Sequence, residues 1–424
     1  EWKEKLKYLC NFMVPVGWRN QYCGVFTLVR EKVTYYFLDN EYYFKRAGLY
    51  GFYDDAERFT FFSRAILELV RNTDYQPDLI HCNDWQTALV PVYLNVLYRG
   101  VEGFGHIKSV FTIHNIQYQG KYGKEILEEI VGISQADAHI LEYDGCINLM
   151  KGAIECADKV STVSPSYANE ILDPWYSHGL DDFLRKKQYK LCGILNGIGK
   201  EYDPANDACI VANYKAANFF APKLLCKQDL QKEFGLNDWP VPVVGMVTRL
   251  VAHKGLDLVR HVAQEIIDSG MQLVILGSGE AEYETFFTQL AARNKGCVGV
   301  KIGFIPALAR KVYAGADMFL MPSKSEPCGL SQMVALRYGT IPIVRETGGL
   351  RDSIQDSGDG KGNGFTFSSY NGYDMLHACM RAKEGFENAE GWKTLVTRAM
   401  KCDCSWNASA KQYVEMYQDV ATYW

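Results

Sequence analysis

Strand-sized apolar segments alternate with helix-sized segments through most of this chain, and this alternation limits the folds open to it. A first series contains DLIHC, HIKSVFTIHN, DKVSTVS and LCGILNG, and a second contains PVVGMVTRL, MQLVILGSG, VGVKIGF, DMFLMPS and TIPIVRETGG. Segments with apolar residues at helical spacing separate them, including KGLDLVRHVAQEIIDSG and EYETFFTQLAARNKG. Such alternation predicts parallel sheets that are covered by helices on both faces. The sequence therefore predicts an α/β protein with two Rossmann-like domains.

Length and composition agree with that class and exclude several others. A chain of 424 residues exceeds the usual size of one domain. The net charge is −5 and no basic run occurs, which argues against a nucleic-acid partner. The longest apolar stretches have the length of strands, so no transmembrane helix is predicted. The 13 cysteines are scattered without a C-x-x-C pair, which predicts a reduced, cytosolic-type interior without disulfides and no zinc site.

Polar and glycine residues follow the ends of the predicted strands, where open parallel sheets bind their ligands. One such residue alone is more often a structural hydrogen-bond partner than a ligand residue. The series is stronger than its members, because loops at one sheet edge converge in space. Its members are Asn83, Asp84, Trp85, His114, Asn115, Ser164, Asn196, Gly197, Arg249, Lys254, Gly277 in GSGE, Phe304, Glu326, Gly348 and Gly349.

The chemistry of these residue types leaves two interpretations open for each. Arg249 and Lys254 suit a pair of phosphates, or they form surface salt bridges. The TGGL segment at 347–350 opens a predicted helix, and its glycines allow amides to approach an anion or simply make a tight turn. Phe304 stacks on a planar base or belongs to the core. Glu326 is either a charge near a helix N-terminus or a ligand residue.

Seven segments resemble one known family. HCNDWQTALVP, FTIHNIQYQG, VSTVSPSYANEI, GILNGI, TRLVAHKG, MPSKSEPCGLSQ and VRETGGLRDSI occur in the order and spacing of bacterial glycogen synthases and plant starch synthases. The resemblance covers essentially the whole chain. It implies a retaining glucosyltransferase of the GT-B fold, in which two Rossmann-like domains have parallel sheets facing a central cleft. The implied reaction moves glucose from ADP-glucose to the non-reducing end of an α-1,4-glucan, which is glycogen, starch or a maltooligosaccharide.

The resemblance also implies partners and a location. ADP-glucose is a substrate, so no cofactor and no metal are expected, and neither nucleic acid nor a membrane is an expected partner. A bacterial protein of this kind is expected in the cytoplasm, and a plant one in the plastid. The implied domains are residues 1–198 on the acceptor side, residues 199–404 for the nucleotide sugar, and a closing helix at 405–424 that returns to the first domain.

Site roles follow from the same resemblance. Arg249 and Lys254 are expected to hold the donor diphosphate, and Glu326 to hold the glucose hydroxyls together with the amides of Cys328 and Gly329. His114 is expected to contribute its backbone carbonyl or ring, and Phe304 to lie against adenine. The further donor-binding or substrate-binding residues that the resemblance implies are Asp84, Asn115, Asn196, Leu330, Ser331, Gly277, Thr347, Gly348 and Gly349. Many GT-B enzymes have a second Glu where this chain has Val334, so we expect same-face attack through an oxocarbenium-like ion pair.

Two departures from the family pattern accompany the resemblance. The family's K-x-G-G-L loop is not found in this sequence, whose single GGL is Gly348 to Leu350, and Gly199 stands where the family usually has Asp. A catalytically impaired glucan-binding or regulatory relative is therefore an alternative. A dinucleotide-dependent oxidoreductase is the other, but it requires G-x-G-x-x-G, and GSGEAEY lacks the third glycine.

Overall fold

A computed structural model describes residues 3–422 and divides the chain into two compact units. The first unit contains the chain up to Thr162, Glu170–Cys192 and the residues from Val414 onward. The second contains Val163–Asn169 and Gly193–Tyr413. The domain limits predicted at 198 and 404 stay a prediction. None of the helices within residues 3–422 has the length and apolar character needed to cross a bilayer.

Helices occupy much of both units, and most of the predicted helical segments form them. The helices are α1 Glu41–Phe44, α2 Asp55–Arg71, α3 Leu89–Tyr93, α4 Leu149–Cys156, α5 Pro165–Glu170, α6 Asp181–Lys186, α7 Phe220–Glu233, α8 Leu256–Asp268, α9 Ala281–Arg293, α10 Pro306–Gly315, α11 Ser331–Arg337, α12 Gly348–Ser353, α13 Gly372–Glu387, α14 Ala389–Met400 and α15 Trp406–Thr422.

The described residues of the first unit form three sheets. Its strands are β1 Lys7–Val16, β2 Arg19–Arg30, β3 Val33–Asp39, β4 Leu79–Asn83, β5 Lys108–Ile113, β6 Lys121–Tyr122, β7 Glu142–Tyr143, β8 Cys146–Asn148, β9 Lys159–Thr162 and β10 Leu191–Gly193. The sheet orders are β1-β2-β3, β10-β9-β5-β4 and β6-β8-β7. Strands β4, β5 and β9 run parallel, so the loops that follow them leave the same edge.

The antiparallel sheet β1-β2-β3 packs one face against helix α2. Alternate residues of β1, including Val14 and Val16, join Phe61 and Ala65 of α2 in one buried core. The aromatic residues of the first 76 positions predict a strand-rich region that includes AERFTFFSRAILELV, and for this segment the prediction is wrong, because it forms most of α2. Its aromatic content favours strands, but its apolar residues recur at helical spacing and are buried on one face.

The second unit contains one six-stranded parallel sheet, whose strands are β11 Val243–Val247, β12 Gln272–Gly277, β13 Val298–Ile302, β14 Met318–Met321, β15 Ile341–Arg345 and β16 Phe365–Phe367. The order is β13-β12-β11-β14-β15-β16. The earliest strand lies inside the sheet, and the chain proceeds to one side of it and then to the other. The order therefore reverses between β11 and β14, which is where doubly wound sheets bind ligands. The prediction of Rossmann-like α/β architecture is confirmed.

Candidate active site

The loops after β11 and β14 bring a lysine and a glutamate together at the reversal point of the sheet. Lys254 ends a 3₁₀ turn, Ala252–Lys254, and Glu326 follows β14. The Lys254 ammonium donates to both carboxylate oxygens of Glu326, at 2.7 Å from Oε2 and 3.0 Å from Oε1. The Ser323 hydroxyl donates to Oε2 at 2.9 Å. Glu326 is only 7% exposed, so this carboxylate is buried and held from two sides.

A glycine explains why Lys254 reaches that position. Gly255 has φ +73, and a Cβ atom there would lie 2.0 Å from the carbonyl oxygen of Pro322. The backbone after β11 therefore lies directly against the backbone after β14. The Lys324 amide donates to the carbonyl of His253 at 2.9 Å and closes the same contact. Only glycine permits this approach without displacing one of the two loops.

We expect Gly255→Ala to destabilise the fold by about 1–3 kcal/mol and to lower activity, because both the left-handed backbone and the contact with Pro322 oppose a side chain. Gly235→Ala is the matched control, since Gly235 has φ +67 but open space around its Cβ position. Chemical denaturation and kcat/KM are measured for both variants. Equal losses in the two variants would show that the close approach to Pro322 does not matter.

Positive charge collects around this carboxylate. Burial lowers the pKa of His253, and the cations of Lys254 and Arg249 lower it further, against the opposing charges of Glu326 and Glu280. Arg249 is exposed, and none of the ion pairs formed by residues 3–422 includes its guanidinium. The interpretation of Lys254 as a surface salt-bridge residue is wrong, because its partner Glu326 is buried. The arrangement can accept an anionic ligand with more than one charge.

The glycines of TGGL lie against the Glu326 loop. A Cβ atom at Gly348 would be 2.0 Å from the carbonyl oxygen of Glu326, and one at Gly349 would be 2.0 Å from that of Cys328. The Gly349 amide donates to the carbonyls of Glu326, at 3.1 Å, and Pro327, at 3.2 Å. Thr347 precedes helix α12 as its N-cap residue. In this structure the glycines therefore brace the Glu326 loop, and the Gly349 amide is already engaged.

The loop between Glu326 and helix α11 is held by Gln332, a residue of that helix. The Gln332 side-chain amide donates to the carbonyls of Cys328, at 3.0 Å, and Gly329, at 2.9 Å. Gly329 has φ +68, the left-handed conformation that this turn requires. Burial raises the pKa of the Cys328 thiol to about 12, so the thiol stays protonated at neutral pH. The backbone is therefore the part of Cys328 that can serve a ligand.

Five further residues of the second unit were predicted to belong to the site, and some of them are exposed whereas others are buried. Phe304 is 90% exposed two residues after β13, so its assignment to the core is wrong. Leu330 is 49% exposed, and the Ser331 hydroxyl bonds to the Tyr313 hydroxyl at 3.1 Å. Gly277 lies against the backbone of the loop after β11, and the Asn196 side-chain oxygen is buried without a hydrogen-bond partner among the described residues.

The first unit brings its own predicted residues together at the ends of β4 and β5. The Asp84 carboxylate accepts the backbone amide of His114 at 2.8 Å, and the His114 ring is 2.9 Å from the Asn83 side-chain oxygen. Burial raises the pKa of Asp84, while His114 and the amides of His114 and Asn115 oppose that rise. Asp84 has φ +59, a strained conformation for a non-glycine residue that is often found at functional sites.

Sequence analysis missed Ser323, Gln332 and His253 as parts of this site. Ser323 lies three residues before Glu326, a spacing that lets a short hydroxyl side chain reach the carboxylate within one turn. Ser164, at another strand end, donates to the carbonyl of Pro327 at 2.7 Å.

No group of three or more His, Cys, Asp and Glu side chains within residues 3–422 is placed to hold a metal ion.

Comparison with known proteins agrees with this geometry. Residues 1–186 match the model of the starch synthase catalytic domain, and residues 228–392 match that of glycosyl transferases group 1. A glycogen synthase of Geobacillus thermodenitrificans is 49% identical over 99% of this chain and 88% of its own length. One of Clostridioides difficile is 45% identical over 99% of this chain and 89% of its own.

A solved structure extends the likeness to three dimensions. The catalytic domain of starch synthase IV from Arabidopsis thaliana, bound to ADP and acarbose, superimposes with a TM-score of 0.90 at 34% identity. The alignment covers 98% of this chain and 88% of that one. Two α/β units, of which the second has a doubly wound parallel sheet with a cation–carboxylate site at the strand reversal, agree with a GT-B glycosyltransferase.

This chain belongs to the glycogen synthase and starch synthase family. Its activity is accordingly the transfer of glucose from ADP-glucose to an α-1,4-glucan. The oxidoreductase alternative is wrong, since neither matched family model describes such an enzyme. No comparison favours the catalytically impaired alternative.

Proposed function

We propose that the second unit binds the donor of this reaction with Arg249 and Lys254 on its diphosphate and Glu326 on its glucose. The observation that carries the proposal is the buried contact between the Lys254 ammonium and both oxygens of Glu326. A nucleoside diphosphate sugar has its distal phosphate bonded directly to C1 of the sugar. A phosphate-binding cation and a sugar-binding carboxylate must then lie next to one another, as Lys254 and Glu326 do.

The cations have their largest effect when the donor bond breaks. Departure of ADP concentrates negative charge on the diphosphate, and preorganised cations stabilise that state more than they stabilise the bound substrate. The exposed guanidinium of Arg249 offers two parallel donors to phosphate oxygens, and Lys254 offers a point charge. Lys254 exchanges its bonds with Glu326 for bonds with the phosphate when the donor binds.

Retention of configuration is proposed to occur without an enzyme nucleophile. Retaining glycosidases place two carboxyl groups about 5 Å apart across the reacting carbon. Here Val334 is buried in helix α11, where a second Glu is found in many GT-B enzymes. The acceptor hydroxyl then attacks the face that ADP leaves, the departing phosphate takes its proton, and Glu326 stabilises the positive sugar through its charge.

The partners and conditions of the reaction are part of the proposal. The ADP and acarbose in the Arabidopsis relative support a nucleotide-sugar donor and a glucan acceptor for this chain. Asp84, His114 and Asn115 of the first unit stay predicted substrate-binding residues. The reaction as written needs neither a cofactor nor a metal ion. A location in the bacterial cytoplasm, or in the plastid of a plant, stays a prediction.

A donor comparison tests the proposed function directly. Incorporation of labelled glucose into glycogen is measured with ADP-glucose and with UDP-glucose at equal concentrations. We expect ADP-glucose to be the better donor. Equal or better use of UDP-glucose would contradict the donor assignment, and absence of transfer from both, with a folded protein, would favour the glucan-binding alternative.

Phe304→Ala is expected to weaken donor binding without changing the chemical step. Loss of stacking on a planar base costs about 0.5–1.5 kcal/mol, or about a two- to tenfold rise in the KM for ADP-glucose. The Phe304 side chain is exposed, so its removal takes no side chain out of the core and is not expected to disturb folding. Phe220→Ala is the control, because Phe220 is 58% exposed and lies on helix α7. An unchanged KM would remove Phe304 from the donor site.

A further inference from the structure

The two oxygens of the Glu326 carboxylate are not equivalent in this structure. Oε2 accepts from Lys254 at 2.7 Å and from Ser323 at 2.9 Å, so two donors occupy it. Within residues 3–422, Oε1 accepts from Lys254 alone, at 3.0 Å. A carboxylate oxygen has about two lone-pair sites. Without the donor, Oε2 is therefore filled by protein donors, and Oε1 keeps a site for a ligand. Once Lys254 moves to the phosphate, Ser323 remains on Oε2, and Oε1 is left to the ligand.

We propose that Ser323 is a positioning residue that holds Glu326 through Oε2 and leaves Oε1 to the sugar of the donor. The inference rests on the proposed role of Glu326 as the sugar-binding carboxylate. It assigns to Ser323 a part in the reaction that depends on its hydroxyl and not on its volume.

Lys254 cannot do this task throughout the reaction. Its ammonium is at the end of a flexible chain, and the donor diphosphate competes for the same protons. When Lys254 turns to the phosphate, Glu326 loses its charged partner. Among the described residues, Ser323 is the other side chain that donates to the Glu326 carboxylate. The serine hydroxyl is neutral and short, so a phosphate does not draw it away.

The backbone around Ser323 is fixed enough for that purpose. Ser323 is 2% exposed. The Arg345 guanidinium donates to the carbonyls of Ser323, at 3.4 Å, and Lys324, at 2.8 Å. At the other end of the segment, the Gly349 amide donates to the carbonyl of Glu326 at 3.1 Å. The hydroxyl and the carboxylate are thus presented to each other by a segment held at both ends.

A pair of variants with the same shape isolates the hydroxyl. Ser323→Thr keeps it, and Ser323→Val replaces it by a methyl group in a side chain of nearly equal volume. Any packing cost of the added carbon is common to both. Ser323→Ala removes the hydroxyl without adding volume and gives the same comparison if either larger variant does not fold. Ser325→Ala is the control in the same loop, since none of the hydrogen bonds formed by residues 3–422 involves its side chain.

The measured quantities are kcat and KM for ADP-glucose, with thermal unfolding of each variant. A hydrogen bond to a charged group contributes about 1.5–3 kcal/mol, so we expect Ser323→Val to lower kcat about 10- to 100-fold relative to Ser323→Thr. KM is expected to change less than about threefold, because the diphosphate contacts remain. Ser325→Ala is expected to match the parent.

Equal kcat values for the Thr and Val variants, or for Ser323→Ala and the parent, would overturn the inference. A Val variant that loses stability and activity together, while Ser323→Ala has parental kcat, would show a packing role only and would overturn it too. Failure of the proposed function is recognised separately. If folded Glu326→Ala has parental turnover, Glu326 does not bind the sugar, whatever the Ser323 variants do.

Discussion

Replacement of Glu326 by alanine is expected to lower kcat for glucosyl transfer by at least about 100- to 1,000-fold, the loss that follows removal of one preorganised electrostatic contact. The carboxylate is the buried acid at the reversal point of the sheet. It fixes the sugar hydroxyls and stabilises the positive charge that develops at C1. Initial rates of glucose incorporation into glycogen, at saturating ADP-glucose, measure the effect.

The control for this variant must separate chemistry from stability. Glu326→Ala leaves the Lys254 ammonium without its partner in a mostly buried position, which by itself costs stability. Glu326→Gln keeps the volume and the hydrogen bond from Ser323 but removes the charge. Both variants are expected to unfold cooperatively and to lack transfer. Near-parental turnover in folded Glu326→Gln would contradict the role given to the charge.

Replacement of Lys254 by alanine is expected to lower kcat/KM for ADP-glucose. The expected loss corresponds to a rise in the activation free energy on the order of 2–4 kcal/mol, because a charged phosphate contact is lost both in binding and in the departure of ADP. ADP itself provides the more specific measurement, since it has the diphosphate but no glucose. We expect the inhibition constant of ADP to rise in Lys254→Ala and to stay close to the parental value in Glu326→Gln.

This contrast distinguishes two ways in which Lys254 can act. If Lys254 binds phosphate, ADP affinity falls when it is removed. If Lys254 only holds Glu326, ADP affinity is unchanged and the two variants have the same kinetic profile. Lys295→Ala, which removes an exposed cation elsewhere in the second unit, controls for the general loss of charge. Unchanged kcat/KM in Lys254→Ala would remove this residue from the site.

Most strands of the parallel sheets were predictable from the sequence, because a buried parallel strand reads as a continuous apolar run. The polar residues at their carboxyl ends were predictable as well, because the end of each apolar run marks where a strand ends. Local pattern was less informative where two signals compete. The aromatic residues of the segment that forms α2 favour a strand, whereas their spacing favours a helix, and packing against β1 satisfies the helix.

Side-chain environment was harder to predict than secondary structure. Phe304 is as apolar as any core residue, yet it is 90% exposed, because it belongs to the loop after β13 and not to the strand. The glycines at 348 and 349 were predicted to approach an anion or to make a tight turn, and in the structure they lie against the carbonyls of the Glu326 loop. A sequence shows that a backbone approach is possible there, and it does not show which atoms come near.

The amino-acid sequence specifies the class of fold, the strand-end positions of Arg249 and Glu326, and, through its motifs, the family. These depend on local patterns of apolar and polar residues. The contact between the loops after β11 and β14, which brings Lys254 against Glu326 across 72 residues of sequence, is visible only in the three-dimensional fold. The reason is that strand order is a property of non-local pairing, which no local propensity specifies. The inequality of the two Glu326 oxygens follows from that meeting, because it depends on which donors the neighbouring loops present.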